Sequence, residues 1–147
     1  MEVPLPRHEE KRFIAHKAIH LYELVCDIER YPEFLPWCQA VRIRKREGNI
    51  VLADLMAGFK SFNEKYTSRV TFDSDKLIVD VEYEKGPFKY LVNKWVFKDV
   101  EGGCEVDFLI DFEFKSRLLQ SVANMFFKEA FEKMVSAFSS RADQIYG

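Results

Sequence analysis

The side chains able to do chemistry in this chain are few, and their spacing argues against most kinds of catalysis. His8, His16 and His20 fall within the first twenty residues, but no second set of ligands at metal-binding spacing accompanies them, so they read as surface histidines. Cys26, Cys38 and Cys104 lie far apart with no Cys-x-x-Cys pair. They read as free buried thiols of a reducing compartment. Nothing matches a nucleophile elbow, a phosphate-cradling glycine loop or a dinucleotide fingerprint. Two polar residues stand out by their company. Asn93 alternates with Leu91, Trp95 and Phe97, and an amide on an apolar face must find a partner or cost about 1–3 kcal/mol. Glu64 shares a face with Phe62, Tyr66 and Val70. Turned inward it would have a raised pKa; an exposed position near the strand end is the expectation, because Glu is almost never buried unpaired.

Charge narrows the partners. Arg42, Arg44, Lys45 and Arg46 form a basic run that, with Arg69, could meet phosphate on RNA or on lipid headgroups. The net charge of −2 provides no global basic field, and an ordinary solvated strand face is the expectation.

The elements that position these residues follow from periodicity. Phe13 to Lys17 reads as a short strand after an N-terminal tail of residues 1–10. Leu21, Leu24, Val25 and Ile28 recur at helical spacing over Ala18 to Asp27, and a second short helix falls at Tyr31 to Leu35 between two prolines. From Gln39 the period becomes two. Gly48-Asn49, Gly58 to Ser61, Asp73 to Asp75, Gly86-Pro87 and Gly102-Gly103 punctuate six further strands. The last alternates most clearly: Cys104, Val106, Phe108, Ile110, Phe112 and Phe114 on one face, acids on the other, as in an antiparallel sheet with one wet side. Ser116 caps a helix of about Arg117 to Gln144, with an apolar stripe of Leu119, Ala123, Phe126, Phe127, Ala130, Phe131, Met134, Phe138, Ala142 and Ile145. At 147 residues the chain suits one α+β domain, with a bent antiparallel sheet gripping the long helix. A curved sheet and a straight helix cannot touch along their whole length, so a wedge of space remains between them. Fourteen Phe, six Tyr and two Trp suit either a packed core or the wall of such a pocket.

Several motifs resemble the coenzyme Q-binding START-domain family. They are Arg30-Tyr31-Pro32-Glu33-Phe34-Leu35-Pro36-Trp37-Cys38; Gly86-Pro87-Phe88 followed by Leu91, Asn93, Trp95 and Phe97; Cys104 to Phe108 leading into Asp111 to Phe114; and Ser116-Arg117-Leu118-Leu119. The likeness runs from about Lys11 to Tyr146. It implies a START-like helix-grip fold with a lipid-sized cavity, binding of a polyprenyl quinone such as ubiquinone as ligand rather than cofactor, and support of respiratory electron transfer without catalysis. The family also includes bacterial toxins that interfere with ribosome subunit association, and polyketide cyclases and aromatases are related to it; both remain as alternatives. The mitochondrial presequence of eukaryotic members is missing, which points to a bacterial member.

The candidate ligand-contacting set is Tyr31, Phe34, Leu35, Trp37, Phe59, Phe62, Tyr66, Asn93, Trp95, Phe108, Phe126, Phe127, Ala130 and Met134. Tyr31, Phe34, Leu35 and Trp37 form either a gate at the pocket mouth or a plug beneath the short helices. Asn93 bonds either a quinone carbonyl or neighbouring backbone, and a cyclase would use Glu64 or Asn93 as polar groups in the cavity. Neither a catalytic residue nor a metal ligand is expected. No apolar run approaches the ~20 residues of a membrane span, and Met1 to Arg12 has neither signal nor transit character. The expected location is the cytoplasm, with peripheral contact to the inner membrane through Lys60, Lys115, Arg117 and Lys128 beside Phe59, Phe62 and Met125.

Overall fold

The computed structural model describes residues 7–59 and 62–147, leaving aside the side chains of residues 59 and 62. Strand β1 (Arg7–Ile14) leads into helix α1 (Ala18–Cys26) and a 3₁₀ helix at Ile28–Glu33. Strands β2 (Cys38–Glu47), β3 (Ile50–Phe59), β4 (Phe62–Asp73), β5 (Ile78–Lys85), β6 (Phe88–Val100) and β7 (Gly103–Phe114) follow, and helix α2 (Arg117–Tyr146) closes the chain. All strands join one antiparallel seven-stranded sheet in the order β1-β7-β6-β5-β4-β3-β2. The hairpins thus run in sequence from β2 to β7, and β1 crosses over to add the far edge. Register shifts interrupt the ladders at Cys38/Ala40, Ile43/Lys45, Thr67/Ser68 and Phe88/Tyr90. Such bulges bend and twist a strand, which helps the sheet curve around α2.

The first strand departs from expectation. It begins at Arg7, inside the expected tail, and ends at Ile14 instead of running from Phe13 to Lys17. Its pairing with β7 runs from Arg7↔Asp111 to Ile14↔Cys104. Both faces of β1 are largely polar, half-buried His8, Glu10 and Arg12 alternating with exposed Arg7, Glu9 and Lys11, so no hydrophobic alternation marks it. The histidines are correspondingly more than surface groups. His8 lies 4.3 Å from the Phe131 ring, His16 bonds Asp143 at 2.7 Å and His20 stacks on Tyr146 at 4.1 Å, so each ties the N-terminal elements to α2. Tyr146 also replaces Ile145 as the last packed residue of the helix; Ile145 is exposed.

One glycine is fixed by close approach. Gly86 has φ +144°, and a Cβ there would meet the Tyr66 Cβ at 2.7 Å and the Lys65 carbonyl at 3.1 Å. A larger residue would push the β5–β6 turn away from β4. The same turn reaches the start of α2 through the Lys115 amide, which donates to the Pro87 carbonyl at 2.8 Å.

The core divides along the length of α2. One cluster gathers Leu21, Leu24, Val25, Ile28 and Leu35 against Val51, Val70, Val79, Phe97, Val106, Phe138 and Ala142. A second, aromatic cluster centres on Phe88, Leu91, Phe112 and Phe114 near the N-terminal half of the helix. Between them lies empty space.

The outer sheet face is not uniformly wet. Asp54 is only 3% exposed, accepting from the Thr67 hydroxyl at 2.6 Å and from Arg44 Nε at 2.7 Å. Burial pushes its carboxyl up, but these two bonds and the neighbouring positive charges outweigh that and bring it below its ordinary value.

Candidate functional site

The space between sheet and helix is a cavity of about 250 Å³. Inward-facing positions of β3 to β7 form its floor: Leu55 on β3, Tyr66, Ser68 and Val70 on β4, Val79 and Val81 on β5, Leu91 and Trp95 on β6, Phe108 and Phe112 on β7. Its roof is α2, through Ala123, Phe126, Phe127, Ala130, Phe131, Met134 and Phe138. Alternation puts every second strand residue on this face, and the helical stripe puts three or four residues per two turns opposite it. An apolar lining with a few polar groups is the usual make-up of a lipid or cofactor pocket.

Of the candidate set, Tyr31, Trp37, Tyr66, Asn93, Trp95, Phe108, Phe126, Phe127, Ala130 and Met134 all border this one cavity. Phe34 and Leu35 do not. Leu35 is buried in the core beneath the 3₁₀ helix, and the Phe34 ring packs edge-on against Phe138 at 5.2 Å with the Arg141 guanidinium over it at 5.2 Å. The proline-bracketed segment therefore does both jobs: Tyr31 and Trp37 wall the cavity while Phe34 and Leu35 plug the core. Tyr31 lies within the 3₁₀ helix, whereas Phe34, Leu35 and Trp37 follow its end at Glu33, and the chain turns between them and sends the rings in different directions. Phe59, Phe62 and Lys60 are candidates whose side chains lie outside the described residues.

The polar groups of the lining are mostly committed. Asn93 Nδ2 donates to the Leu109 carbonyl at 2.8 Å, and its Oδ1 accepts from Trp95 Nε1 at 2.9 Å, so the amide orients the indole that walls the cavity. The Tyr31 hydroxyl donates to the Val25 carbonyl. Burial, with smaller contributions from neighbouring ionisable groups, raises the pKa of both Tyr31 and Tyr66. Glu64 lies opposite Ala57 near the end of β4 and is half-buried. Ser68 is the exception: it is 1% exposed and its Oγ has no hydrogen-bond partner. Reading the alternation of β4 as Phe62, Tyr66, Val70 and Phe72 passes over it, and that polar gap in an apolar face was the available signal. Asp54 was missed too, although a lone carboxylate inside Ile50–Phe59 marks a buried pair.

Other chemistry is thin. Among the described residues no group of three or more His, Cys, Asp or Glu could hold a metal ion. The three cysteines are free thiols, and burial pushes Cys26 and Cys38 up to about 11, far from a reactive thiolate. The basic run is largely spent on carboxylates: Arg44 on Asp54 at 2.7 Å, Arg46 on Glu29 at 2.5 Å, Lys45 on Glu47 at 3.1 Å and Arg69 on Glu84 at 2.9 Å.

Comparison with known proteins agrees with this architecture. Residues 14–139 match the family described as polyketide cyclase / dehydrase and lipid transport. The chain is 36% identical over 140 residues to the ribosome association toxin RatA of Rickettsia prowazekii, covering 93% of this chain and 96% of that one. It is 34% identical over 135 residues to the mitochondrial coenzyme Q-binding protein COQ10 of Drosophila melanogaster, covering 89% of this chain but 56% of the fly protein. The solution structure of the 18 kDa protein CC1736 from Caulobacter crescentus superposes with a TM-score of 0.81 at 34% identity, covering 97% of this chain and 99% of that one. With a curved antiparallel sheet, a long C-terminal helix and a family match over most of its length, the chain belongs to the START-like polyketide cyclase / dehydrase and lipid transport family.

Proposed function

We propose that the chain binds a polyprenyl quinone such as ubiquinone, taking the ring and part of the tail into the cavity, and supports its transport or its use in respiratory electron transfer without itself doing chemistry. The observation that carries this reading is the half-open aromatic and aliphatic space between α2 and the sheet, whose lining offers hardly any free polar group. Its volume of about 250 Å³ suits a ring and the first part of a chain, with the remaining tail lying along the opening. The likeness to a coenzyme Q-binding protein supports the same ligand. Binding is favoured over turnover because the Asn93 amide is already bonded at both ends and the nearby thiols stay protonated. The likeness to a ribosome association toxin supports a second reading; the pairing of Arg44, Lys45, Arg46 and Arg69 with carboxylates weighs against a phosphate-binding face.

Lipid extraction from the purified protein followed by mass spectrometry is the direct test, with a co-purified quinone as the expected result. Large ribosomal subunit in place of any lipid would transfer the case to the second reading. Ala130 lines the roof, so Ala130→Trp fills the cavity. The variant is expected to stay folded and to lose at least tenfold in quinone affinity; unchanged affinity would place the ligand elsewhere.

A ligand this insoluble must be exchanged at a membrane. No helix among the described residues is long and apolar enough to cross one, so the contact proposed is peripheral. Leu118 and Met125 lie seven residues apart on one side of α2, each 74% exposed, with Lys115, Arg117 and Lys128 exposed beside them. Apolar residues ringed by bases suit an anionic bilayer surface, at roughly 1 kcal/mol per base. In sedimentation with phosphatidylglycerol vesicles, Leu118→Asp with Met125→Asp should abolish binding, and 0.5 M salt (about a 4 Å screening length) should weaken it several-fold. Vesicle binding indifferent to both would remove this face from the proposal.

A further inference from the structure

We infer that Ser68 is the polar anchor of the cavity, its hydroxyl donating to an acceptor oxygen on the ligand's head group. The assignment rests on the lipid-binding reading and names the group that would select a quinone from other greasy molecules.

The argument starts from an unmet bond. Ser68 lies on the inward face of β4 and borders the cavity, 1% exposed, with an Oγ that has no partner. A buried hydroxyl left unsatisfied is costly, and most such groups in folded proteins are paired. Its surroundings offer little. Ala53 is opposite it on β3, and Val70 follows it on the same face of β4. Tyr83, its partner on β5, already accepts from the Phe88 amide. A water molecule needs two to four polar partners to be held, more than this single hydroxyl supplies. A ligand oxygen needs only one.

The backbone fits a special role. The ladder opposite Ser68 is irregular, since one step from Thr67 to Ser68 spans Lys85 to Tyr83 on β5 and leaves Glu84 as an extra residue there; bulges recur beside sites. Two residues along, the aromatic ring of Tyr66 borders the same space. The hydroxyl has almost no free surface in the empty cavity, so it meets the ligand by stepping between staggered χ1 wells, the smallest motion a side chain makes. Ser68 stands mid-strand, between Tyr66 and Val70 on the inward face of β4. A head group anchored there leaves its tail to run along Phe126 and Phe127.

The test compares two probes on two proteins. Decylubiquinone carries acceptor oxygens; dodecylbenzene is of similar greasiness and has none. Ser68→Ala removes only an unpartnered oxygen, so its unfolding midpoint should equal or exceed that of the parent. Decylubiquinone should bind the variant about tenfold more weakly, while dodecylbenzene binds both proteins alike. Infrared spectra should show one quinone carbonyl band shifted to lower frequency in the parent and restored in the variant. If both probes bind but Ser68→Ala alters neither the affinity ratio nor the carbonyl band, the anchor assignment is wrong and the cavity reading survives. If neither probe binds the parent, the lipid-binding reading falls, and the anchor with it.

Discussion

The two halves of α2 meet the sheet in different ways. From Phe131 onward the helix is largely in direct contact with its surroundings, although Phe131, Met134 and Phe138 each still turn part of their surface to the cavity. Phe131, Phe138 and Ala142 are buried, and the Phe138 ring meets Tyr31, Phe34 and Trp95 at 5.7, 5.2 and 5.4 Å. Polar contacts fasten the same half: Arg141 to Glu33 at 2.6 Å and His16 to Asp143 at 2.7 Å. From Arg117 to Ala130 only Gln120 is buried, and Ala123, Phe126, Phe127 and Ala130 border empty space. The same helical periodicity thus does two jobs. Where the sheet comes close, the stripe is core; where the sheet bends away, it becomes the roof of a binding site. Stability is thereby weighted toward the C-terminal turns and binding toward the N-terminal ones, with Phe131, Met134 and Phe138 shared between them.

Truncating an aromatic ring in each half gives the largest contrast. Phe138→Ala deletes a buried ring wedged among three others and should cost about 3–5 kcal/mol in denaturant-measured stability. Phe127→Ala enlarges a space that is already there, so little new cavity is created. It should cost about 1–2 kcal/mol, mostly the lost contacts with Phe112 and Phe131. Its ligand affinity should fall further than its stability does. Equal losses at the two positions would erase the distinction between core and roof.

The division was only partly legible in the sequence. The strands from β2 to β7 and the long helix announce themselves through alternation, turn residues and the Ser116 cap, because each buries one face and leaves the other wet. β1 does not, since it is an edge strand with polar residues on both faces whose inward members bond one another, as Glu10 does with His8 and Arg12. The proline-bracketed segment shows its aromatic character but not which ring turns where, since that depends on where the 3₁₀ helix ends and on packing against Phe138. Cavity volume has no sequence signature: Phe126 and Phe138 belong to one stripe, and only the curvature of the sheet separates roof from core. Ser68 is the instructive omission. A hydrophobic pattern is read by its apolar members, so a single hydroxyl on an inward face is passed over as noise, although polar groups on such a face are where specificity resides.

The smallest effect is expected at the helix start, and it bears most directly on how independent the two halves are. Ser116 Oγ accepts from the Leu119 amide at 3.2 Å, satisfying one of the first-turn donors that have no partner within the helix. Ser116→Ala should remove about 1 kcal/mol of local helix stability. How that loss appears depends on coupling. If α2 opened only as a unit, every helical amide would exchange faster to the same degree. The sparse packing of the first turns predicts otherwise: they open locally, below the free energy of global unfolding. Native-state hydrogen exchange on Ser116→Ala should therefore show about fivefold faster exchange for amides between Gln120 and Phe127. Amides between Val135 and Ala142 that exchange through openings leaving the Ser116 cap intact should be unchanged, while the global unfolding free energy falls by about 1 kcal/mol, because the cap is broken in the unfolded chain. Saturating the cavity with ligand should slow the first group more than the second, because the ligand fills the space that those turns leave open. Uniform acceleration along the helix would mean that roof and core unfold together.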